Sequence, residues 1–200
     1  MFGRQRSGTP AQLLVIGLGN PDADYGGTRH NVGAECVQLL ARRHGGRLKM
    51  GKEKSLTTEV RVGGALVALA FPQTYMNESG QAARLLVRRY GIEDLANVVV
   101  VHDELDLPSA KVKLKLGGGT AGNNGIKSVR AHLNSADFAR VRIGIGRPPG
   151  QGEAIDYVLK RPAKAERAQL DVAVEEAADA VESIVAEGFE RTMNRVNTGK

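Results

Sequence analysis

Two side chains capable of acid–base chemistry, His30 and Asp103, each follow an apolar run of the chain. His30 comes after Leu13–Ile16 and a loop rich in Gly, Asp and Pro. Asp103 comes almost directly after Val98–Val101. Such runs predict strands buried on both faces, and open α/β sheets collect ligands at the carboxyl ends of their strands. If the two side chains meet, the carboxylate accepts the Nδ1 proton and leaves Nε2 free to take a proton from water.

The simpler interpretation of His30 is structural, because a single histidine near a helix start is usually a polar residue at the cap. The same choice applies to three asparagines in predicted loops, Asn20, Asn77 and Asn124. Taken singly, each is typical of a turn. Taken together, they are neutral donors and acceptors suited to holding an ester carbonyl and the peptide next to it.

A glycine-rich segment after residue 116 suggests a different function. Gly117, Gly119 and Gly122 fit G-x-G-x-x-G, the pattern of a dinucleotide site. The preceding segment, Lys111–Leu116, alternates lysine with apolar residues, whereas that site requires a buried parallel strand. Asp137, the only acid within about twenty residues, precedes the next predicted strand instead of ending it. A nicotinamide-nucleotide site therefore remains only as an alternative.

Metal and nucleophile chemistry receive less support. Asp103, Glu104 and Asp106 are spaced closely enough to bind Mg²⁺, but such a cluster is more often a solvated turn, and no histidine lies beside it at ligand spacing. We expect no metal. Cys36 is the single cysteine, which excludes an internal disulfide and predicts a small buried residue. The G-x-S-x-G pattern of a serine nucleophile is absent.

Basic residues recur on one face of two predicted strands: Lys111, Lys113 and Lys115 on the first, Arg140 and Arg142 on the second. The whole chain carries a formal net charge of +6. If the two strands are neighbours, these charges form one patch suited to phosphates. A solvated face is the alternative interpretation.

The length and the order of elements predict one α/β domain with a mixed sheet. Predicted strands cover 13–16, 55–62, 66–71, 98–101, 111–116 and 138–145, and predicted helices cover 31–43, 79–90, a segment ending near 133, 164–187 and 190–196. Residues 1–11 are expected to form a disordered basic arm, and residues 12–200 the domain. No segment reaches the roughly 18 apolar residues of a membrane span, and no secretory signal is present, so we expect a cytoplasmic protein.

Five segments together closely resemble the bacterial-type peptidyl-tRNA hydrolases. They are GLGNPDADYGGTRHNVG (17–33), PQTYMNESG (72–80), VHDELDLP (101–108), KLGGGTAGNNGIKS (115–128) and RVRIGIGRP (140–148). They occur in the order and at the spacing of that family, and the resemblance extends from about residue 13 to residue 196.

The resemblance implies a monomeric enzyme with a twisted mixed sheet flanked by helices. Because one base and a positioned water are enough to cleave an activated ester, we expect no metal or organic cofactor. The resemblance also implies cleavage of the ester between a peptide and the 3′ ribose of tRNA, with His30 as general base and Asp103 as its orienting carboxylate. The remaining roles carried over by position are substrate-holding amides (Asn20, Asn77 and Asn124), peptide-site lining (Tyr25 and Met76), a grip on the tRNA 5′ phosphate (Lys115 and Arg142) and a mobile cover (146–156).

Two positions depart from the family pattern. Asn123 stands where many members carry histidine, and Ala121 replaces a usual glycine. Whatever that histidine contributes to positioning is therefore open in this chain. Two alternatives to the hydrolase are an RNA-binding protein on the same fold without catalysis and a nucleotide-dependent oxidoreductase.

Overall fold

The computed structural model describes residues 10–150 and 154–199. The strands are β1 (Leu13–Gly17), β2 (Lys49–Met50), β3 (Ser55–Val62), β4 (Ala65–Pro72), β5 (Val98–Glu104), β6 (Val112–Leu116) and β7 (Ala139–Gly144). The helices are α1 (Asp22–Tyr25), α2 (Val32–Arg43), α3 (Ser79–Arg89), α4 (Asn124–Leu133), α5 (Ala154–Val158), α6 (Lys164–Glu187) and α7 (Phe189–Thr198). Short 3₁₀ turns at Arg29–Asn31 and Met76–Glu78 precede α2 and α3.

The strands of this described part form one sheet in the order β2-β3-β4-β1-β5-β7-β6. The central pairs β4–β1, β1–β5 and β5–β7 are parallel, whereas the outer pairs are antiparallel. This confirms the predicted mixed α/β sheet. After β1 the chain builds one half of the sheet and then crosses to β5 on the other side of β1. Ligands bind at such a switch point in open α/β sheets.

Both faces of the sheet are covered, which explains the unbroken apolar runs in β1 and β5. On one face Val15 and Val99 pack in a core that includes residues of α2 and α6. On the other face Leu14 and Val100 pack in a core that includes residues of α3 and α4. Cys36 of α2 is fully buried, as predicted.

The edge strand β6 is covered by a side chain of the last helix. The Asn197 carboxamide accepts a hydrogen bond from the Leu114 N–H (2.8 Å) and donates one to the Leu114 carbonyl (2.9 Å). These are the two backbone groups that a further strand would use at this position. The amide therefore completes the hydrogen bonding of Leu114 at the edge of the sheet.

Most predicted elements lie within two residues of those observed, and the exceptions are short. Helices α1 and α5 and strand β2 were missed, because two to five residues carry no readable periodicity. The strand predicted to end at Val101 continues to Glu104, because β5 stays paired with β7 through Glu104 and Gly144. Asp103 therefore lies on a strand, not in the following loop.

The predicted arm lies mostly outside the described residues, which begin at Pro10. The Ala11 N–H donates to the Tyr90 carbonyl (3.1 Å), so the chain is bound to the domain just before residue 12. Across the described ranges, no helix has the length and apolar character needed to cross a membrane.

Candidate active site

His30 and Asp103 are in direct contact. The His30 ring lies in the 3₁₀ turn before α2, and the Asp103 carboxylate lies on β5. Their Nδ1 and Oδ2 atoms are 2.7 Å apart, and their side chains are only 11% and 3% exposed. A neutral imidazole that binds a carboxylate through Nδ1 carries its proton there. Nε2 is then the nitrogen with a free lone pair.

Two glycines allow the start of α2 to pack tightly enough for this contact. A Cβ on Gly33 would overlap the backbone oxygen of Val101 on β5, and one on Gly17 would overlap the backbone oxygen of Gly33. The Leu18 N–H also donates to that Val101 oxygen (3.0 Å). Close backbone approach of this kind requires glycine. The contact between His30 and Asp103 thus depends on glycine, which has no side chain, at positions 17 and 33.

The His30 pKa is raised above its ordinary value of 6.5. Burial is the largest influence and lowers it, because the charged ring loses water. The negative charge of Asp103 and its hydrogen bond both raise it, and together they exceed the effect of burial. The pair is therefore arranged to accept a proton on His30 and to stabilise the imidazolium that results.

The residues expected to hold substrate lie together around His30. They line one open cleft of about 390 Å³, whose walls include Asn20, Tyr25, His30, Met76, Asn77 and Asn124 together with Tyr75, Ile155, Val158 and Leu159. A smaller cavity of about 70 Å³ lies on the Asp103 side of the ring. Among the lining residues that were not predicted to hold substrate, Tyr75 and Ile155 are large hydrophobic side chains exposed to solvent. Ile155 lies within the predicted cover, whereas Tyr75 was not singled out from the sequence.

Asn20 is held in one orientation by its neighbours. Its Oδ1 accepts from the Met76 N–H (2.7 Å). The Asn31 side chain donates to the Asn20 carbonyl (2.8 Å) and accepts from the Asn20 N–H (2.9 Å). Since Oδ1 is engaged, Nδ2 is the group of Asn20 that can donate to a ligand. Asn31 was not singled out from the sequence, because its role exists only once the two loops meet.

Arg29 fastens helix α5 beside His30. Its guanidinium donates to both carboxylate oxygens of Glu166 (2.8 and 2.7 Å) and to the Tyr157 carbonyl (3.2 Å). It also lies 4.1 Å above the Tyr157 ring. The predicted cover over 146–156 includes residues 151–153, which are outside the described part. Its described end, α5, places Ile155 on the wall of the cleft.

Known proteins resemble this chain over most of its length. A family model described as peptidyl-tRNA hydrolase matches residues 14–200. The peptidyl-tRNA hydrolase of Frankia alni is 48% identical over 182 residues, which are 91% of this chain and 92% of that protein. That of Mycobacterium tuberculosis is 46% identical over 186 residues, or 92% and 97%. The chain belongs to the peptidyl-tRNA hydrolase family.

A solved member of the peptidyl-tRNA hydrolase family has the same fold. The crystal structure of the enzyme from Acinetobacter baumannii matches with a TM-score of 0.87 at 34% identity, covering 98% of this chain and 97% of that one. The match includes the sheet and helices that bring His30 and Asp103 together. Membership of this family identifies the chain as a hydrolase.

The two strands that carry the basic residues are neighbours, as the predicted patch requires, but one of its residues is buried. In the β6–β7 register Lys113 is opposite Arg142 and Lys115 is opposite Arg140. Arg140, predicted to share the patch, is only 2% exposed. Its Nε donates to His102 Nε2 (3.0 Å) and its Nη1 to the Gly119 carbonyl (2.6 Å). Arg140 therefore supports the glycine loop from inside and leaves the patch to the other four residues, Lys111, Lys113, Lys115 and Arg142.

The alternatives of a Mg²⁺ site and a dinucleotide site fit the geometry poorly. Each carboxylate of the acidic cluster has its own basic partner: Asp103 has His30, Glu104 has Arg142, and Asp106 has Arg147. No three His, Cys, Asp or Glu side chains in the described ranges are grouped as metal ligands. The strand before the glycine loop is an antiparallel edge strand, whereas the dinucleotide pattern follows a parallel one.

Proposed function

We propose that the chain hydrolyses the ester that joins a peptide to the 3′ ribose of tRNA, with His30 as general base for the attacking water. The 2.7 Å contact between His30 and Asp103, on the wall of a cleft lined by asparagine amides, is the observation that supports this most strongly. Family membership supports the substrate, since the relatives carry that name. We also propose that the protein acts as a monomer in the cytoplasm.

The proposed reaction needs one base and a set of neutral donors. His30 Nε2 takes a proton from water, and the water oxygen bonds to the ester carbonyl carbon. Asp103 stabilises the imidazolium, while Asn20 or Asn124 donates to the oxyanion of the tetrahedral intermediate. The intermediate then breaks its bond to the ribose oxygen, which receives the proton from His30. An activated ester needs little other help with its leaving group.

A turnover assay with an N-acylated aminoacyl-tRNA tests the function itself. The expected result is release of free tRNA and the N-acylated amino acid in equal amounts. Binding of this tRNA without release would favour the RNA-binding alternative. Saturable binding of NAD or NADP without turnover would favour the oxidoreductase.

The pH dependence of kcat/KM is expected to show an acid limb with a midpoint above 6.5, the ordinary pKa of histidine. His30 acts only when neutral, and Asp103 raises its pKa, so activity falls as pH decreases through that raised value. The measurement is kcat/KM on the N-acylated substrate across the range of stable folding. A midpoint at or below 6.5 would contradict the assigned base.

The double substitution Lys115→Ala with Arg142→Ala is expected to weaken tRNA binding and to flatten its salt dependence. Removing one ion pair with a phosphate should reduce the slope of log affinity against log salt by about one. The matched control is Lys49→Ala with Lys52→Ala, which removes the same charge near β2 at the opposite edge of the sheet. Equal slopes for the two double variants would place the phosphate-binding residues elsewhere.

A further inference from the structure

Asn123 uses its two amide atoms for different purposes. Its Oδ1 accepts from the Ile126 N–H (3.0 Å), which caps helix α4 in the ordinary way for asparagine. Its Nδ2 is directed at β5, where it donates to the Asp103 Oδ1 (3.1 Å) and the Asp103 backbone carbonyl (3.2 Å). Asn123 is 9% exposed, so these hydrogen bonds compete with little water. One side chain thus joins the start of α4 to the carboxylate that orients His30.

Asn123 completes the hydrogen bonding of Asp103. Oδ2 faces His30, Oδ1 accepts from Asn123, and the backbone carbonyl accepts from Asn123 and from His102 Nδ1 (2.7 Å). The terminal torsion of an aspartate is broad, so a carboxylate held at one oxygen can rotate about it. Donors at both oxygens fix the plane of the carboxylate. That plane sets the direction in which the His30 ring is held.

We propose that Asn123 is a positioning residue for the reaction, holding the Asp103 carboxylate and, through it, the His30 ring. This inference rests on the proposed function, because it concerns the same base. An amide gains no charge as pH falls. Asn123 thus supplies a donor to Asp103 that is the same at every working pH.

The other ionisable groups next to the pair do not replace this donor. His102 is neutral, since burial and then the charge of Arg140 lower its pKa to about 3. Its ring faces the Asp103 backbone and not the carboxylate. Glu104 is turned to Arg142 and Arg140. Within the described residues, Asn123 is the side chain other than His30 that bonds the carboxylate.

Asn123→Ser is the variant that separates capping of α4 from the contact with Asp103. Serine is also a preferred N-cap, but it has no amide group to donate to the Asp103 carboxylate. Loss of a hydrogen bond to a charged group should lower kcat about tenfold, while KM and Tm stay close to those of the unchanged protein. The His30 pKa, measured by NMR titration of its ring, should fall. Without the Asn123 donor the carboxylate can rotate away from the ring, and it then stabilises the imidazolium less strongly.

Two comparisons make the result decisive. Asn194→Ser, the same change at an exposed site on α7, should alter neither kcat nor the His30 pKa. Asn123→Asp keeps the size and the cap but offers no amide donor, and at alkaline pH it should lower kcat at least as much as serine does. An unchanged kcat, or a His30 pKa that stays level or rises in Asn123→Ser, would overturn the positioning role. In the same assay, a fully active His30→Ala would instead overturn the proposed base.

Discussion

His30→Ala is expected to lower the turnover of N-acylated aminoacyl-tRNA by about a thousandfold, within the range that general bases contribute. The variant retains the cleft and its amides but has no group to take the proton from water. Affinity for tRNA should stay nearly the same, because the basic strands β6 and β7 are untouched. Single-turnover kinetics, together with a separate binding measurement, would show the two effects independently.

The control for this variant is His132→Ala, which removes an exposed histidine near the end of α4, away from the cleft. It should have the activity of the unchanged protein. A His30→Ala variant that keeps most of its rate would remove His30 from the role of base. A variant that loses tRNA affinity as well as rate would indicate that the ring contributes to binding.

Asp103→Asn is expected to have the second largest effect, a decrease in kcat of about a hundredfold. A neutral amide cannot stabilise the imidazolium, and its NH₂ group favours the wrong tautomer of His30. The His30 pKa should also fall, since burial continues to lower it while the charge of Asp103 no longer raises it. The acid limb of kcat/KM therefore moves to lower pH even as the maximal rate decreases.

Asp106→Asn is the control for charge removal, because Asp106 pairs with Arg147 at the surface, away from His30. It should leave both the rate and the acid limb in place. If Asp103→Asn lowered kcat without moving the acid limb, the carboxylate would be acting on something other than His30. If neither changed, the geometry of the pair would have no catalytic role.

Much of the fold follows from local patterns in the sequence, whereas the site depends on contacts between distant segments. The apolar runs of β1 and β5 predicted buried strands because both faces of the sheet are covered. The meeting of His30 and Asp103, 73 residues apart, could not be derived in the same way. It depends on strand order, on the length of β5 and on the close packing that Gly17 and Gly33 permit. The family resemblance supplied what the residue pattern left open.

Arg140 shows why a pattern of charges was misleading. The alternation of residues predicted that Arg140 and Arg142 lie on the same face of the strand, and they do. The glycine loop folds back over Arg140, and the sequence does not reveal such a fold-back, since glycines permit many paths. Asn123 is the opposite case. Its capping role follows from local rules, but its contact with Asp103 exists only after β5 and α4 are in place.

The two hydrogen bonds between the Asn197 side chain and the Leu114 backbone have a consequence for self-association. An outer strand with free backbone groups can be extended by a strand from another molecule. At Leu114 that docking position is already occupied by the chain's own carboxamide. The last helix therefore blocks intermolecular strand pairing at Leu114, while Lys113 and Lys115 on the same strand keep part of their surface exposed.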